Sequence, residues 1–275
     1  MLLFPHAKIN IGLNIVRKRP DGYHDLETVF YPIPLQDVLE TKPLKGSNAP
    51  YHFQLAGNDI QTQAEDNLVV KVYMAMKEEF DLPAIDIYLY KRIPTGAGLG
   101  GGSSDAAQMM KAINEDFDLG LTEVEMEKRI AAFGADCAFF IQGRPVYATG
   151  IGERLTPLDF SLKGMTIVLV KPSLSVSTKA AYQHVVPRQP EKELRKAIQA
   201  PVEQWRTTVF NDFEDYVFTA YPQIAAIKST LYDMGAVYAS MSGSGSSVYG
   251  LFNIPPADAR EIFPDCFVFQ QKIRE

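Results

Sequence analysis

The most informative stretch of the chain is Pro94-Thr95-Gly96-Ala97-Gly98-Leu99-Gly100-Gly101-Gly102-Ser103-Ser104-Asp105-Ala106-Ala107. Five of the seven residues from Gly96 to Gly102 are glycines, and such a backbone is costly unless another group must approach it closely. The residues around it predict a strand over Ile85–Tyr90 and a helix over Ser104–Phe117. Because a helix start presents unpaired N–H groups and the positive end of the helix dipole, the stretch is interpreted as an anion cradle.

Three other interpretations of this glycine loop are weighed against a phosphate cradle. A Walker A loop needs Gly-Lys followed by Ser or Thr, but Gly101 is followed by another glycine. The spacing of Gly96, Gly98 and Gly101 matches the dinucleotide-binding fingerprint, although no βαβ unit precedes it. A flexible loop without a ligand stays open as well, but such linkers rarely join a regular strand to a capped helix.

Composition restricts the partners of the 275-residue chain. The formal net charge is −6 without any long basic run, so no nucleic-acid partner is predicted. No apolar run approaches the roughly 20 residues needed to span a bilayer, and the first residues do not resemble a signal peptide. Cys137 and Cys266 lack the spacing of a metal site or a disulfide framework. The sequence therefore predicts a cytoplasmic protein, monomeric or homodimeric, that does not bind membranes.

Strands and helices mix along the chain without regular βαβ alternation, which favours an α+β fold over a doubly wound sheet. A boundary near residue 155 divides it into expected domains 1–155 and 156–275. The predicted strands are Lys8–Val16, Thr28–Ile33, Val38–Thr41, Tyr51–Leu55, Ile85–Tyr90, Ile167–Val170, Val237–Met241, Ser247–Phe252 and Phe267–Gln270. Besides the helix after the glycine loop, the predicted helices are Leu68–Phe80 after a cap at Asp66 or Asn67, Glu123–Phe133 after a capping box at Thr122, and one that begins at Pro222 and ends before Gly235.

Three ordered motifs resemble those of the GHMP kinase superfamily. They are the N-terminal Ala7-Lys8-Ile9-Asn10-Ile11-Gly12-Leu13, the glycine loop, and the C-terminal Ser242-Gly243-Ser244-Gly245-Ser246-Ser247. Two further segments, Asp21–His24 with Leu26–Thr28, and Gly134–Asp136 with Phe139–Phe140, resemble members that phosphorylate a cytidine diphosphate-linked alcohol in non-mevalonate isoprenoid synthesis. The resemblance implies a two-domain GHMP kinase fold, an N-terminal ATP-binding domain and an active site in the interdomain cleft.

The resemblance also implies ATP as co-substrate, with Mg²⁺ expected and only Ser104 and Asp105 as possible neighbours of the ion. It assigns ATP binding to Pro94, Gly96, Gly98, Leu99, Gly100, Gly101, Gly102, Ser103 and Ser104. A valine at Gly101 is expected to occupy the space of the phosphate groups and to restrict the backbone.

Lys8 and Asp136 are the catalytic candidates. An alcohol must lose its proton as it attacks phosphorus, and a carboxylate near a cation can accept that proton. The resemblance places the two side chains together, whereas a structural ion pair is an equally good interpretation of the residues alone. Asn10 lies two residues from Lys8 along a strand, so it faces the same side and is a candidate ligand of the substrate hydroxyl.

The remaining candidates concern the cytidine substrate. Tyr23 and His24 follow a turn and could supply a stacking face and edge hydrogen bonds to cytosine, although an exposed hairpin tip stays open. The resemblance adds Tyr182 as a second stacking face and Thr178 as a polar contact. Lys91 could bind the substrate diphosphate or be a solvated surface lysine. Gly243 and Gly245 could donate backbone N–H groups or form a simple hairpin loop.

Overall fold

The computed structural model describes residues 1–46, 48–58, 63–190 and 193–274. The strands are β1 (Leu2–Leu3), β2 (His6–Lys18), β3 (His24–Gln36), β4 (Val38–Pro43), β5 (Tyr51–Gly57), β6 (Ile85–Lys91), β7 (Val146–Thr149), β8 (Arg154–Pro157), β9 (Thr166–Pro172), β10 (Tyr238–Met241), β11 (Val248–Phe252) and β12 (Cys266–Lys272). The helices are α1 (Leu68–Phe80), α2 (Gly101–Asp116), α3 (Glu123–Ile130), α4 (Phe139–Gln142), α5 (Thr178–His184), α6 (Leu194–Ala197), α7 (Glu214–Ala220), α8 (Pro222–Asp233) and α9 (Ala259–Ile262). Short 3-10 turns cover Ala64–Asp66, Ala131–Phe133 and Val202–Thr207.

The chain forms two compact units, each built from separated segments. The first unit contains Met1–Ala7, Leu35–Thr95 and Gly100–Gly143, and the second contains Lys8–Pro34, Gly96–Leu99 and Arg144–Glu275. These units interleave along the sequence, so no single position divides them. The domain limits of 1–155 and 156–275 stay a prediction.

A four-stranded sheet and the helices that cover it make up the first unit. Its strand order is β1-β4-β6-β5, antiparallel except for the parallel pair β5 and β6. Helix α1 begins after Asn67, whose side chain accepts a hydrogen bond from Val69 N at 3.0 Å, and it buries Val72, Tyr73 and Met76 on the face that its helical spacing predicts. Because α1 packs on α2, this sheet and these helices fix the position of the first turn of α2.

Two four-stranded sheets form the framework of the second unit. Their strand orders are β2-β3-β7-β8 and β10-β11-β9-β12. Helix α8, which begins at Pro222, packs on β10 and β11. The core contains Ile15, Val168 and Phe213, all nearly inaccessible to solvent. The long strand β2 therefore carries a row of buried residues through the unit and presents Lys8 and Asn10 near its start.

The structure confirms the predicted α+β class and every strand and helix that the sequence analysis names, most of them within two residues at each end. The capping box at Thr122 is present, since Thr122 and Glu125 exchange both hydrogen bonds. The helix that it starts ends at Ile130, and the last predicted turn is a 3-10 turn. None of the helices in the described ranges is both long and apolar enough to cross a membrane.

Candidate active site

Lys8 lies at the start of β2 in the second unit and is buried. Its Nζ donates to Asn10 Oδ1 at 2.7 Å and to Gly98 O at 3.1 Å, and lies 5.0 Å from the centre of the Phe30 ring. The predicted common face of Lys8 and Asn10 is therefore confirmed. Asn10 is 3% exposed, and its Nδ2 donates to Thr28 Oγ1 at 2.9 Å. The Asn10 amide thus holds the ammonium group in place, while its predicted contact with a substrate hydroxyl stays a prediction.

Ser242 joins this group of residues to the first half of the glycine loop. Its hydroxyl donates to Gly98 O at 2.9 Å and accepts from Asn10 N at 3.1 Å. A methyl group at Gly98 would lie 2.0 Å from Ser242 O, and Gly98 has a left-handed φ of 74°, so only glycine fits here. Leu99 is buried, and its carbonyl accepts from Lys8 N at 3.0 Å. The motif around Ser242 therefore fixes the backbone of the loop.

Aromatic rings gather near the predicted cytidine site. The His24 and Tyr182 ring centres are 5.3 Å apart with 30° between their planes, and Tyr182 meets the Phe213 ring edge-on at 4.9 Å. Burial, followed by the charge of Lys18, lowers the pKa of His24, which favours the neutral imidazole. Tyr23, on the turn before His24, is 60% exposed. The structure thus brings His24 and Tyr182 together and leaves the Tyr23 ring open to solvent.

Thr178 and the C-terminal glycine motif also meet in the second unit. Thr178 Oγ1 lies 2.9 Å from Ser244 Oγ, between the two predicted glycine donors. Gly245 N donates to Ser242 O at 3.0 Å, so this N–H group is used within the turn. This internal bond argues against the predicted donation of the Gly245 N–H group to a ligand. Gly243 stays the candidate, and a methyl group there would lie 3.3 Å from Gly98 Cα.

The second half of the glycine loop starts helix α2 in the first unit. Gly100 is the N-cap residue with a left-handed φ of 68°, and the helical ladder starts with the bond from Ser104 N to Gly100 O at 2.9 Å. The N–H groups of Gly101, Gly102 and Ser103 precede that ladder and have no acceptor within the helix. Because α2 has 16 residues, its positive dipole end adds to these donors at the predicted phosphate site.

Asp136 is half-buried and lies beside the start of α2. A methyl group at Gly100 would come within 3.2 Å of Asp136 Oδ2 and 2.7 Å of Phe140 Cζ. The next residue, Cys137, is a buried free thiol. Burial, with the negative charge of Asp136 as the next cause, raises the pKa of Cys137 to about 12, although a hydrogen bond with Ser103 opposes this. The Asp136 carboxylate therefore lies next to the predicted phosphate donors. The buried Cys137 thiol beside it stays protonated.

Pro94, Gly96 and Ser104 complete the predicted ATP residues. Pro94 is half-buried between β6 and α2, and a methyl group at Gly96 would approach Ser175 Oγ at 3.8 Å. Ser104 is fully buried, and its hydroxyl has no hydrogen-bond partner among the described atoms.

His6 supports the same region of the first unit and makes stability depend on pH. Its ring meets Phe140 edge-on at 5.5 Å, and burial, followed by the charge of Lys111, lowers its pKa from 6.5 to about 4. The folded protein thus binds fewer protons than the unfolded chain between these values, so stability is complete above pH 6.5 and falls toward pH 4. Between pH 7 and pH 5 the free energy of unfolding should fall by about 2 kcal/mol because of His6 alone.

Urea unfolding at both pH values tests this expectation. The variant His6→Gln should lose about 2 kcal/mol less than the wild type between pH 7 and pH 5. The variant His52→Gln, which removes an exposed histidine paired with Asp86, is the control for the loss of a histidine and should keep the loss of about 2 kcal/mol that is due to His6. If the wild type and His6→Gln lose the same free energy of unfolding, His6 does not take up a proton when the protein unfolds.

Known protein families match more than half of the chain. Residues 67–144 match the family described as GHMP kinases N terminal domain, and residues 191–265 match GHMP kinases C terminal. A protein of Bacteroides fragilis named 4-diphosphocytidyl-2-C-methyl-D-erythritol kinase is 52% identical over 274 residues, which are 100% of both chains. The chain belongs to the 4-diphosphocytidyl-2-C-methyl-D-erythritol kinase family. As a member of this family of GHMP kinases, it is an ATP-dependent kinase.

More distant relatives share the family name or the fold. The 4-diphosphocytidyl-2-C-methyl-D-erythritol kinase of Porphyromonas gingivalis is 44% identical over 277 residues, covering 99% of this chain and 100% of its own. A crystal structure of 4-(cytidine 5'-diphospho)-2C-methyl-D-erythritol kinase has a TM-score of 0.85 at 31% identity and covers 99% of this chain and 100% of its own. A mevalonate kinase structure shares the fold, with a TM-score of 0.77 at 13% identity and complete coverage of both chains.

Lys91 does not have the surroundings that the sequence analysis predicted for it. In this kinase the Lys91 side chain is 2% exposed, and its ammonium group forms ion pairs with both Asp37 and Asp105. Burial alone would lower the pKa of Lys91, but the two carboxylates outweigh it and raise that pKa, so the group stays charged. Such a neutralised cation argues against the predicted contact with a substrate diphosphate, and a solvated surface lysine is excluded.

A side chain at Gly101 would not enter the phosphate space as the sequence analysis predicts. A methyl group there would point into the protein, 2.8 Å from Ile93 Cγ2 and 3.4 Å from Lys91 Nζ, so a valine would displace Ile93 and would not fill the phosphate space. Gly102, the next residue of this kinase loop, faces outward. It is exposed, and a methyl group there would have Leu68 Cδ1 at 3.8 Å as its nearest neighbour.

Two supporting residues of this family member were not singled out from the sequence. The Asp37 carboxylate is buried beside the start of the loop, and no pattern around it distinguishes it from a surface acid. Ser242 belongs to the C-terminal glycine motif, but its hydrogen bonds with Gly98 and Asn10 depend on residues more than 140 positions away.

Proposed function

We propose that this kinase transfers the γ-phosphoryl group of ATP to the 2-hydroxyl group of 4-diphosphocytidyl-2-C-methyl-D-erythritol. The products are the 2-phosphate of that alcohol and ADP, a step of non-mevalonate isoprenoid biosynthesis. The choice of alcohol is supported by the full-length identity to relatives that carry this substrate in their name. The transfer itself is supported above all by one observation, the Asp136 carboxylate beside Gly100 at the start of α2.

The triphosphate binds the glycine loop in this proposal. The N–H groups of Gly101, Gly102 and Ser103 donate to phosphate oxygens, and the dipole of α2 adds a favourable electrostatic interaction. The other residues proposed to line the ATP site are Pro94, Gly96, Gly98, Leu99, Gly100 and Ser104.

Asp136 accepts the proton of the substrate hydroxyl as the oxygen attacks the γ-phosphorus atom, and the bond to the leaving ADP oxygen breaks. Lys8 compensates the negative charge that spreads over the transferring group. Its ammonium group is held for this task by Asn10 Oδ1 and Gly98 O, so it does not have to be ordered during the reaction.

The cytidine moiety binds to the aromatic side chains of the second unit. Tyr23 covers one face of the cytosine ring, and Tyr182 supplies a second face where His24 leaves it accessible. The lowered pKa of His24 favours its neutral form, which can hydrogen-bond the ring edge. Thr178 and the Gly243 N–H group bind polar atoms of the same substrate.

Mg²⁺ is proposed to arrive with ATP and to neutralise charge on the triphosphate. In the described part of the chain, no three His, Cys, Asp or Glu side chains gather into a site that could hold the ion alone. The buried Ser104 hydroxyl, which lacks a partner there, is an oxygen that fits an ion held mainly by phosphate groups. The cytoplasmic location and the monomeric or homodimeric state stay predictions.

The variant Gly102→Ala separates phosphate binding from stability. The added methyl group meets no protein atom closer than 3.8 Å, and alanine favours a helix over glycine by up to about 1 kcal/mol, so the melting temperature should stay the same or rise. The KM for ATP should increase by at least about tenfold, because the methyl group would keep phosphate away from the amides of α2. The KM for the cytidine substrate is the internal control and should not change. An unchanged KM for ATP would remove Gly102 from the phosphate site.

Release of ADP from ATP, measured with each of a small panel of alcohols as the phosphate acceptor, tests the proposed reaction. The panel contains 4-diphosphocytidyl-2-C-methyl-D-erythritol, mevalonate and homoserine, and ³¹P NMR locates the new phosphate on the product. We expect turnover of the cytidine-linked alcohol and a phosphate on its 2-oxygen. Preferred turnover of mevalonate or homoserine would reject the substrate, and ATP binding without any transfer would leave a nucleotide-binding protein.

A further inference from the structure

A buried cluster of three charged side chains lies where the glycine loop begins and ends. Lys91 Nζ contacts Asp37 Oδ2 and Asp105 Oδ2, and the side chains are 2%, 0% and 3% exposed, respectively. The cluster thus has two carboxylates for one ammonium group, and burial is the main cause that raises the pKa of Asp105. Such an arrangement is costly to desolvate, and the proposed reaction does not use it.

Asp37 fixes the start of the loop. Its Oδ1 accepts from Arg92 N at 2.5 Å and from Ile93 N at 2.8 Å, the first two residues after β6. Its own N–H donates to Pro5 O at 2.8 Å, so the aspartate is itself anchored to the segment before β2. A carboxylate that accepts two backbone N–H bonds and one ammonium bond holds its neighbours in one geometry.

Asp105 fixes the end of the loop. It lies four residues into α2, and its Oδ2 meets the same ammonium group. Gly101, the first residue of α2, packs so closely that a methyl group would lie 2.8 Å from Ile93 Cγ2 and 3.4 Å from Lys91 Nζ. One lysine therefore connects the strand that leads into the loop with the helix that follows it.

We propose that Asp37, Lys91 and Asp105 are positioning residues that hold the start of α2 in the arrangement required to bind the ATP triphosphate. The inference rests on the proposed function, since it concerns the same phosphate site. The two carboxylates neutralise the Lys91 ammonium group, so the lysine does not bind a phosphate group directly. Its role is to hold the backbone at the start and the end of the glycine loop in place. The cytidine site is built from other segments, so only the affinity for ATP should depend on the cluster.

The variant Asp105→Asn is the first test, because it replaces the carboxyl group by an amide and keeps the size of the side chain. The dissociation constant and the KM for ATP should increase at least about tenfold, since small displacements of positioned groups have effects of this size. At saturating ATP, kcat and the KM for the cytidine substrate should stay within about threefold of the wild type. Glu79→Gln, which removes an exposed ion pair with Arg129 in the same unit, is the control and should match the wild type.

Lys91→Met and the double variant Lys91→Met/Asp105→Asn distinguish positioning from direct contact. The single variant leaves two buried carboxylates without a cation, whereas the double variant leaves only Asp37, whose Oδ1 keeps both amide donors. A positioning role predicts that the double variant recovers part of the ATP affinity lost in Lys91→Met. Equal losses in the two would mean that the ammonium group binds phosphate itself, which would overturn the proposal. If Lys91→Met does not fold, the double variant should match Asp105→Asn, and a further loss of about tenfold would overturn it.

Calorimetric titration with ATP alone, without the cytidine substrate, keeps this test independent of the proposed reaction. A wild-type protein that binds ATP but does not phosphorylate the cytidine-linked alcohol would reject the proposed function and leave the comparison of variants valid. Circular dichroism establishes first that each variant is folded. A lower melting temperature of Asp105→Asn with unchanged ATP affinity would overturn the inference. Failure of both Asp105→Asn and the double variant to fold would do so as well, because the cluster would then serve the fold alone.

Discussion

Replacing Asp136 by asparagine should lower kcat by about 10²–10⁴, the usual contribution of a general base. The substitution keeps the size of the side chain and removes its charge and basicity. The asparagine amide should therefore take the place of the carboxylate beside Gly100. Both substrates should still bind, because the phosphate donors of α2 and the rings of the cytidine site lie on other segments. A loss of kcat at nearly constant KM is the pattern expected for an interaction made mainly in the transition state.

The measurement that decides this prediction is kcat per folded molecule beside the melting temperature. Asp159→Asn, the same chemical change at an exposed position, is the matched control and should leave both quantities unchanged. A merely structural Asp136 predicts a lower melting temperature with normal turnover in the molecules that remain folded. Turnover within about tenfold of the wild type would therefore reject the catalytic role.

The variant Tyr23→Ala should weaken binding of the cytidine substrate by about 5- to 150-fold, because stacking of a base on an aromatic ring contributes roughly 1–3 kcal/mol. The Tyr23 ring is 60% exposed, so its removal should leave the fold intact. ATP affinity should stay nearly constant, since no proposed phosphate donor belongs to the turn that carries Tyr23. Calorimetric titration of each substrate separately measures both affinities.

The conservative variant Tyr23→Phe serves as the control for stacking. It keeps the ring and loses only the hydroxyl, so substrate affinity should stay within about threefold of the wild type. A large loss in Tyr23→Phe would assign the interaction to the hydroxyl group. Reduced ATP affinity with normal substrate affinity would show that the assignment of the two sites is reversed.

Elements with strong local signals were predictable from the sequence. Helix α1 was predicted at Leu68–Phe80 and has those limits, because the Asn67 cap and the apolar spacing act within a few residues of each other. The common side of Lys8 and Asn10 followed from strand alternation, and their hydrogen bond confirms it. The short strands β7 and β8 were not predicted, since four residues give too little alternation to separate a strand from a loop.

The properties of the site that depend on distant residues could not be predicted. Lys91 alternates in a strand like any surface lysine, and its burial depends on carboxylates 54 and 14 residues away. The direction of a side chain at Gly101 depends on where Ile93 packs, which no local pattern encodes. The resemblance to GHMP kinases indicated which segments form the candidate site. Only the structure shows which residues each side chain contacts.

The contact between Tyr182 and Phe213 has a consequence for inhibitor design. An inhibitor that binds only the glycine loop meets backbone amides, which offer little basis for selectivity among ATP-dependent enzymes. The His24 and Tyr182 rings lie 5.3 Å apart and restrict each other, so an aromatic inhibitor at the proposed cytidine site would have few side-chain rotamers to immobilise. A substitution of Tyr182 that prevents inhibitor binding would also remove its edge-on contact with Phe213 in the core. Because such a contact contributes about 0.5–1.5 kcal/mol, the resistant protein would be less stable.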